Sequence, residues 1–83
     1  MKKANLSDSD LSYADLSGTA LNHADLSSAN LSHTKLSGSN LSDSRILYTD
    51  FSYAEYCLDP KFKTILPYDY LIDEYKMIEV DIG

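Results

Sequence analysis

Two histidines, His23 and His33, one cysteine, Cys57, and a run of serines and carboxylates are the residues here with chemistry to offer. A zinc site asks for Cys or His in tight local pairs, about two to five residues apart. His23 and His33 stand ten apart and Cys57 stands alone. Nucleophilic catalysis asks for a serine on a sharp, glycine-flanked elbow, and phosphate chemistry for a glycine-rich loop. Neither occurs in the 83 residues. One cysteine also excludes an intramolecular disulfide and points to the cytoplasm as the default compartment. The serines fall at one interval (Ser7, Ser12, Ser17, Ser27, Ser32, Ser37, Ser42 and Ser52) and read as a solvated wall rather than as nucleophiles. The chain is therefore read as non-enzymatic, with no cofactor and no metal.

What positions these residues is a five-residue phrase repeated eleven times between Ala4 and Leu58. Its middle residue is Leu6, Leu11, Leu16, Leu21, Leu26, Leu31, Leu36 and Leu41, then Ile46, Phe51 and Tyr56. Two places before each stands Ala, Ser or Thr; one before is usually Asp or Asn; one after is usually Ser. A period of five fits neither the 3.6 of a helix nor the 2 of a strand. It requires a coil with a large and a tiny residue inward and three residues outward per side. A serine-rich disordered segment is the competing reading, and the unbroken apolar residue at every fifth place argues against it.

The phrase of a small residue, Asn or Asp, Leu or Phe, and two variable positions closely resembles the pentapeptide-repeat family, over about two-thirds of the chain. The resemblance implies an all-β fold: a right-handed quadrilateral (square) β-helix, twenty residues per turn and about three turns. It implies a repeat domain at 1–58 and a capping or dimerisation tail at 59–83. On a square, His23 and His33 fall on opposite sides and share no ligand.

Stacked in twenties, residues lie one above another at roughly 4.8 Å. The interior columns become Leu6–Leu26–Ile46, Leu11–Leu31–Phe51, Leu16–Leu36–Tyr56 and Leu21–Leu41. Outside, Asn5–Asp25–Arg45 and Asp15–Lys35–Glu55 place a base over or between acids, while Asp10–Asn30–Asp50 has no base. Opposite charges stacked across strands are favourable, so Lys35 and Arg45 read as charge relief. Tyr13–His33–Tyr53 forms an aromatic column on the side of the unrelieved acids. Exposed aromatics on a rigid face are enriched in protein-binding hot spots. Asp10, Tyr13, His33, Asp50 and Tyr53 are thus the candidate partner-binding face. His23 over Asp43 is an expected surface pair.

At Asp59-Pro60 the pentads stop and serine vanishes. Phe62 is expected to close the third turn over Leu41 after a one-residue slip. The spacing of Tyr68, Leu71, Ile72 and Tyr75 predicts a short helix over Tyr68–Lys76, and Ile78, Val80 and Ile82 a strand over Met77–Ile82. A solenoid ends in an exposed apolar layer that needs a cap. The tail is expected to cover Ile46, Phe51 and Tyr56. The opposite end looks bare, so a homodimer through one end of the coil is expected. The candidate interface residues are Leu6, Leu11, Leu16 and Leu21, with Tyr75, Ile78 and Val80 as the rival set.

Net charge is −6 and the repeats hold seven acids against two bases, which disfavours direct contact with nucleic acid or an anionic membrane surface. No apolar signal region or long apolar run is present. A protein partner is expected, and the acidity fits a basic, nucleic-acid-binding one. Some members of the family are acidic rods that occupy the DNA site of gyrase, so the resemblance implies a nucleic-acid mimic of the gyrase-inhibitor kind as one role; phage anti-defence inhibitors use the same device on other folds, and that kind of target is the other expectation. A plain scaffold using the Tyr13/His33/Tyr53 face or the tail is the alternative.

Overall fold

The computed structural model describes residues 3–81. Parallel backbone bridges join residues twenty apart: Asn5 with Asp25, Asp10 with Asn30, Asp15 with Lys35 and Ala20 with Asn40. A second set continues upward, joining Asp25 with Arg45, Asn30 with Asp50 and Lys35 with Glu55. The bridging residue is the one just before the large apolar residue. Its N–H points down the stack (Asp25 to the Ala4 carbonyl, 2.8 Å), and its carbonyl accepts from below (Leu6 N–H, 2.8 Å). Each contact is so short that only β1 (Glu55–Tyr56) and β2 (Ile78–Glu79) reach strand length.

Between bridges the chain turns a corner, and the corners explain the period. The Leu6 carbonyl accepts from Ser9 N–H at 3.2 Å, and the same bond recurs every five residues to Phe51 and Ala54. The third residue of each turn has positive φ: Asp8, Tyr13, Gly18, His23, Ser28, His33, Gly38, Asp43, Tyr48 and Tyr53. The second residue does not, which makes these type II turns. Asn or Asp prepares the corner. Oδ1 of Asn5, Asp10, Asp15, Asp25, Asn30, Asn40 and Asp50 accepts the N–H of the serine two places on, at 2.8–3.1 Å. This Asx turn needs one carbonyl-type oxygen, so Asn and Asp interchange there.

Leu21, Leu26, Leu31, Leu36, Leu41 and Phe51 are fully buried, and Leu6, Leu11, Leu16 and Ile46 pack half-buried at the two ends. Buried hydroxyls at the small positions find carbonyls: Thr34 donates to Leu31, Ser39 to Leu36, Ser44 to Leu41 and Thr49 to Leu26. Among the described residues no buried side-chain polar atom lacks a partner. Ser or Thr therefore replaces Ala at those places without an orphaned polar group.

The repeats run past the boundary expected at Leu58. Asn40 bridges to Ile65, and Thr64-Ile65-Leu66 supplies the next side, with the Thr64 hydroxyl donating to the Leu36 carbonyl and Leu66 packed against the core. Phe62 does not take the central place over Leu41; its carbonyl instead accepts from Gly38 N–H at 2.6 Å. The shift is five residues rather than one. Unbroken register would put Pro60 where Ile65 now donates to the Ser39 carbonyl at 2.9 Å, and proline has no N–H to give. The chain loops out from Pro60, with the Lys61, Phe62 and Thr64 N–H groups bonded inside the loop, and Ile65 resumes the ladder.

The tail folds over the Phe51 end. Helix α1 covers Leu71–Glu74, shorter than the stretch the spacing predicts, and its N-cap Tyr70 makes no side-chain capping bond. It stops in a Schellman arrangement: Met77 N–H donates to Ile72 O at 3.0 Å, Lys76 N–H to Asp73 O at 3.4 Å, and Lys76 has φ 53°. β2 then lies parallel on β1, Ile78 beside Glu55 and Glu79 beside Tyr56. Bridging in the predicted Met77–Ile82 strand is confined to Ile78–Glu79, and Ile82 lies outside the described residues. Leu71 and Met77 join the core cluster, and the Tyr75 ring meets Phe51 edge-on at 5.9 Å. Tyr56 is buried, and desolvation, then Glu79 and Asp73, push its hydroxyl's pKa up. Among the described residues no helix is long and apolar enough to cross a membrane.

Candidate functional site

The corner geometry brings Tyr13, His33 and Tyr53 into one stacked ladder. Tyr13 and His33 lie with ring centroids 4.6 Å apart and planes within 1°, and His33 and Tyr53 lie at 5.3 Å and 25°. Tyr13 is 74 % exposed and Tyr53 44 %, with His33 half-buried between them. The ladder rests on a bonded backbone: Tyr13 N–H donates to Ser32 O, His33 to Ser52 O and Tyr53 to Tyr75 O, at 2.9–3.0 Å.

Asp10 and Asp50 flank the ladder in one bridged column with Asn30. One oxygen of each is committed to its own corner. Asp10 Oδ1 accepts from Ser12 N–H and Oγ at 3.1 and 2.7 Å, and Asp50 Oδ1 from Ser52 at 2.8 and 2.5 Å. The Ser12 hydroxyl and then its N–H hold the Asp10 carboxyl below the usual range. Donors that favour the charged form lower a carboxyl pKa, so this acid stays ionised further into the acid range. The corner bond thereby fixes where the charge sits.

Lys35 and Arg45 act more weakly on their columns than those bonds do. Ser17 dominates the lowered pKa of Asp15, and Ser27 that of Asp25; Lys35 and Arg45 add the smallest contributions. His23 and Asp43 meet at 3.8 Å, both exposed, a geometry worth little by itself. Cys57 is buried and its N–H donates to the Thr64 hydroxyl at 3.0 Å. Among the described residues no three potential metal ligands cluster.

The interface residues expected at the ends divide. Leu21 is wholly buried and does not line an open end; on the same side Lys3 N–H donates to Asn22 O and continues the ladder. Leu6, Leu11 and Leu16 remain half-buried. In the rival set Tyr75 packs on Phe51, Val80 N–H donates to Tyr56 O, and Ile78 is exposed. A second aromatic group escaped the sequence reading: Tyr48, Tyr68 and Tyr70 surround a groove of about 620 Å³ between Arg45–Tyr48 and the tail. Its signal was Leu47, which stands where the other circuits carry Ser7 and Ser27.

Bridges that recur at a twenty-residue interval from Asn5 to Glu55, with apolar residues inside and corners between, define a β-helical solenoid. The sequence matches the family described as Pentapeptide repeats in eight copies, over residues 4–43 and 24–55. The chain belongs to that family. Its fold is similar to that of alr5209, a pentapeptide repeat protein from Nostoc Pcc 7120, with a TM-score of 0.53 and 17 % identity. That likeness covers 95 % of this chain and 83 % of the other. No curated protein matches the sequence.

Proposed function

We propose that the protein is a non-enzymatic binding module that docks a protein partner on the face formed by Asp10, Tyr13, His33, Asp50 and Tyr53. The observation that carries this reading is the stacked ladder, large exposed aromatics set on corners whose positive φ favours glycine. Stacking fixes the rings before a partner arrives, so little side-chain entropy is lost on binding. A right-handed, four-sided coil of about three turns is the finer architecture that goes with this face. Cytoplasmic location, and pairing of two copies through the Leu6, Leu11 and Leu16 end, belong to the same reading. Sedimentation that finds a monomer at every concentration removes the pairing.

Acidic mimicry of nucleic acid is the second reading, favoured by the carboxylates of Asp10, Asp15 and Asp25 held in their charged form. Charge density weighs against it. A duplex as long as the protein's longest dimension of 32 Å carries about nineteen charges, whereas the chain's net charge is −6. Affinity capture from source cells separates the two. Tagged wild type, Tyr13→Ala/Tyr53→Ala and Asp10→Asn/Asp50→Asn are compared at low and high salt, after melts confirm each fold. Partners lost only with the tyrosines, at either salt, support the aromatic face. Partners lost with the aspartates, at high salt, or to competing DNA establish the mimic instead.

A further inference from the structure

We propose that the backbone edge at Ser44–Tyr48 takes an extended segment of a partner protein as one more parallel strand. The segment carries an acidic residue over Arg45 and a large apolar residue over Ile46. The ladder rule is read from the circuits beneath. Each hands three groups upward: the carbonyl of the small residue, the N–H of the large residue and the N–H of the corner residue. On this side they are Ala4 O, Leu6 N–H and Asp8 N–H in one circuit, then Ala24 O, Leu26 N–H and Ser28 N–H in the next, all bonded at 2.8–2.9 Å. The following set is Ser44 O, Ile46 N–H and Tyr48 N–H. None of these three has a partner among the described residues.

The neighbouring sides show that the tail has already used this rule. Ile78 N–H donates to the small-residue carbonyl Ala54 O where β2 lies on β1, and the corner N–H of Tyr53 donates to Tyr75 O; Val80 N–H adds a bond to Tyr56 O outside the rule. Over Arg45 and Ile46 the tail stands off instead and leaves the 620 Å³ groove, walled by Tyr68, Tyr70 and Glu74. Leu47 and Tyr48 at its rim are 67 % and 81 % exposed. An open edge beside side-chain pockets is the geometry of strand addition, in which main-chain bonds supply affinity and pockets supply selectivity.

The column chemistry selects the segment. Arg45 stands above Asp25 and, among the described residues, has no carboxylate within 4.0 Å. A cross-strand neighbour of opposite sign is favourable there and a like charge unfavourable. Ile46 tops the Leu6–Leu26 column and is half-buried, so the next position in that column favours an apolar side chain. The small–acid–leucine order that results is also the order of the chain's own pentad. This surface is separate from the Tyr13–His33–Tyr53 face and stands or falls apart from it.

The test uses amide-resolved hydrogen exchange and chemical-shift mapping on the intact, ¹⁵N-labelled chain. The probe is the capped peptide acetyl-Ser-Ala-Asp-Leu-Ser-Ser-amide and its counterpart with Lys in place of Asp. In the free protein the Ile46 and Tyr48 amides exchange as rapidly as open groups, at least a hundredfold faster than those of Leu26 and Ser28. Saturating acidic peptide slows both at least tenfold and shifts their resonances, and the lysine peptide binds at least fivefold more weakly. Arg45→Glu, which leaves the backbone groups in place, inverts that preference. Protected Ile46 and Tyr48 amides in the free chain, shifts confined to the Tyr13 face, absence of binding, or an unchanged preference in Arg45→Glu each overturns the proposal.

Discussion

Two neighbouring corner columns have the same backbone and opposite side chains. Tyr13, His33 and Tyr53 turn at φ 63°, 59° and 59°, Gly18 and Gly38 at 69° and 72°. Glycine meets this demand without steric cost, whereas an L-residue in the left-handed region costs about 1 kcal/mol. Space does not decide the difference. A Cβ on Gly18 meets nothing within 4 Å, and one on Gly38 meets only ordinary contacts from 3.7 Å. Stacked aromatic pairs return about 0.5–1.5 kcal/mol, so the tyrosine column roughly breaks even. The fold therefore needs the corners and is nearly indifferent to what they carry. Side chains at corners are free to serve a partner, and a column that keeps large exposed rings at no net gain is the one to examine for binding.

The comparison holds only if the corners depend on the core rather than sustaining the coil themselves. Leu31→Ala and Phe51→Ala, both wholly buried, are expected to cost about 2–5 and 3–5 kcal/mol. In a domain whose total stability is of order 5–15 kcal/mol, either brings the chain close to unfolding. Urea melts read the loss. A cost under about 1 kcal/mol would mean that the ladder of turns and bridges holds the coil, and that corner residues matter to the fold after all.

Next in size is the separation of binding from stability. Tyr53→Ala is expected to cost about 2 kcal/mol or more in partner affinity, as hot-spot truncations do. Tyr13→Gly and Tyr53→Gly should shift the melt by less than about 1 kcal/mol, because lost stacking and relieved backbone nearly cancel. The reciprocal change sharpens the contrast: Gly18→Ala and Gly38→Ala should each destabilise by about 1 kcal/mol with no effect on the tyrosine face. If Tyr→Gly variants lost several kcal/mol of stability, the ladder would be a structural staple and the binding argument would fail.

The period of five made the inward leucines legible; the twenty-residue turn that the family resemblance implies made the register and the aromatic ladder legible, since each is a column that follows once residues are stacked. The meaning of the Asn/Asp position was not legible as charge. Read down a column, Asp10 and Asp50 look like surface charges; read along the chain, each is an oxygen two residues ahead of a serine N–H. Asn5, Asn30 and Asn40 at equivalent places carried that signal, because only the oxygen is common to both residue types. The break near Pro60 was visible, but its size was not. A missing donor tells that the ladder must fail there, and only the loop's own packing sets that five residues pass before Ile65 restores it. The groove by Arg45 depends on where the tail stands off; Leu47 in the place of Ser7 and Ser27 marks the side but not the stand-off.

The smallest expected effect separates charge that builds corners from charge that meets partners. Asp10, Asp15 and Asp25 each have a folded-state pKa below the ordinary value of 3.8, chiefly through a serine hydroxyl and the serine N–H. A carboxyl whose pKa is depressed on folding contributes stability above its unfolded pKa, and that contribution is lost as pH falls through the folded value. Stability should therefore be level near neutral pH and decline below about pH 4, near the ordinary carboxyl pKa. The triple variant Asp10→Asn/Asp15→Asn/Asp25→Asn keeps an acceptor oxygen in every corner and removes only the titrating groups. Its melting temperature should match wild type at pH 7 within a few degrees, and its acid decline should be visibly shallower. Any loss of partner affinity in this variant at pH 7 then reports charge alone, because the corners are intact. A variant that unfolds at neutral pH would show instead that the corners require carboxylates, and Asn5, Asn30 and Asn40 would need another explanation.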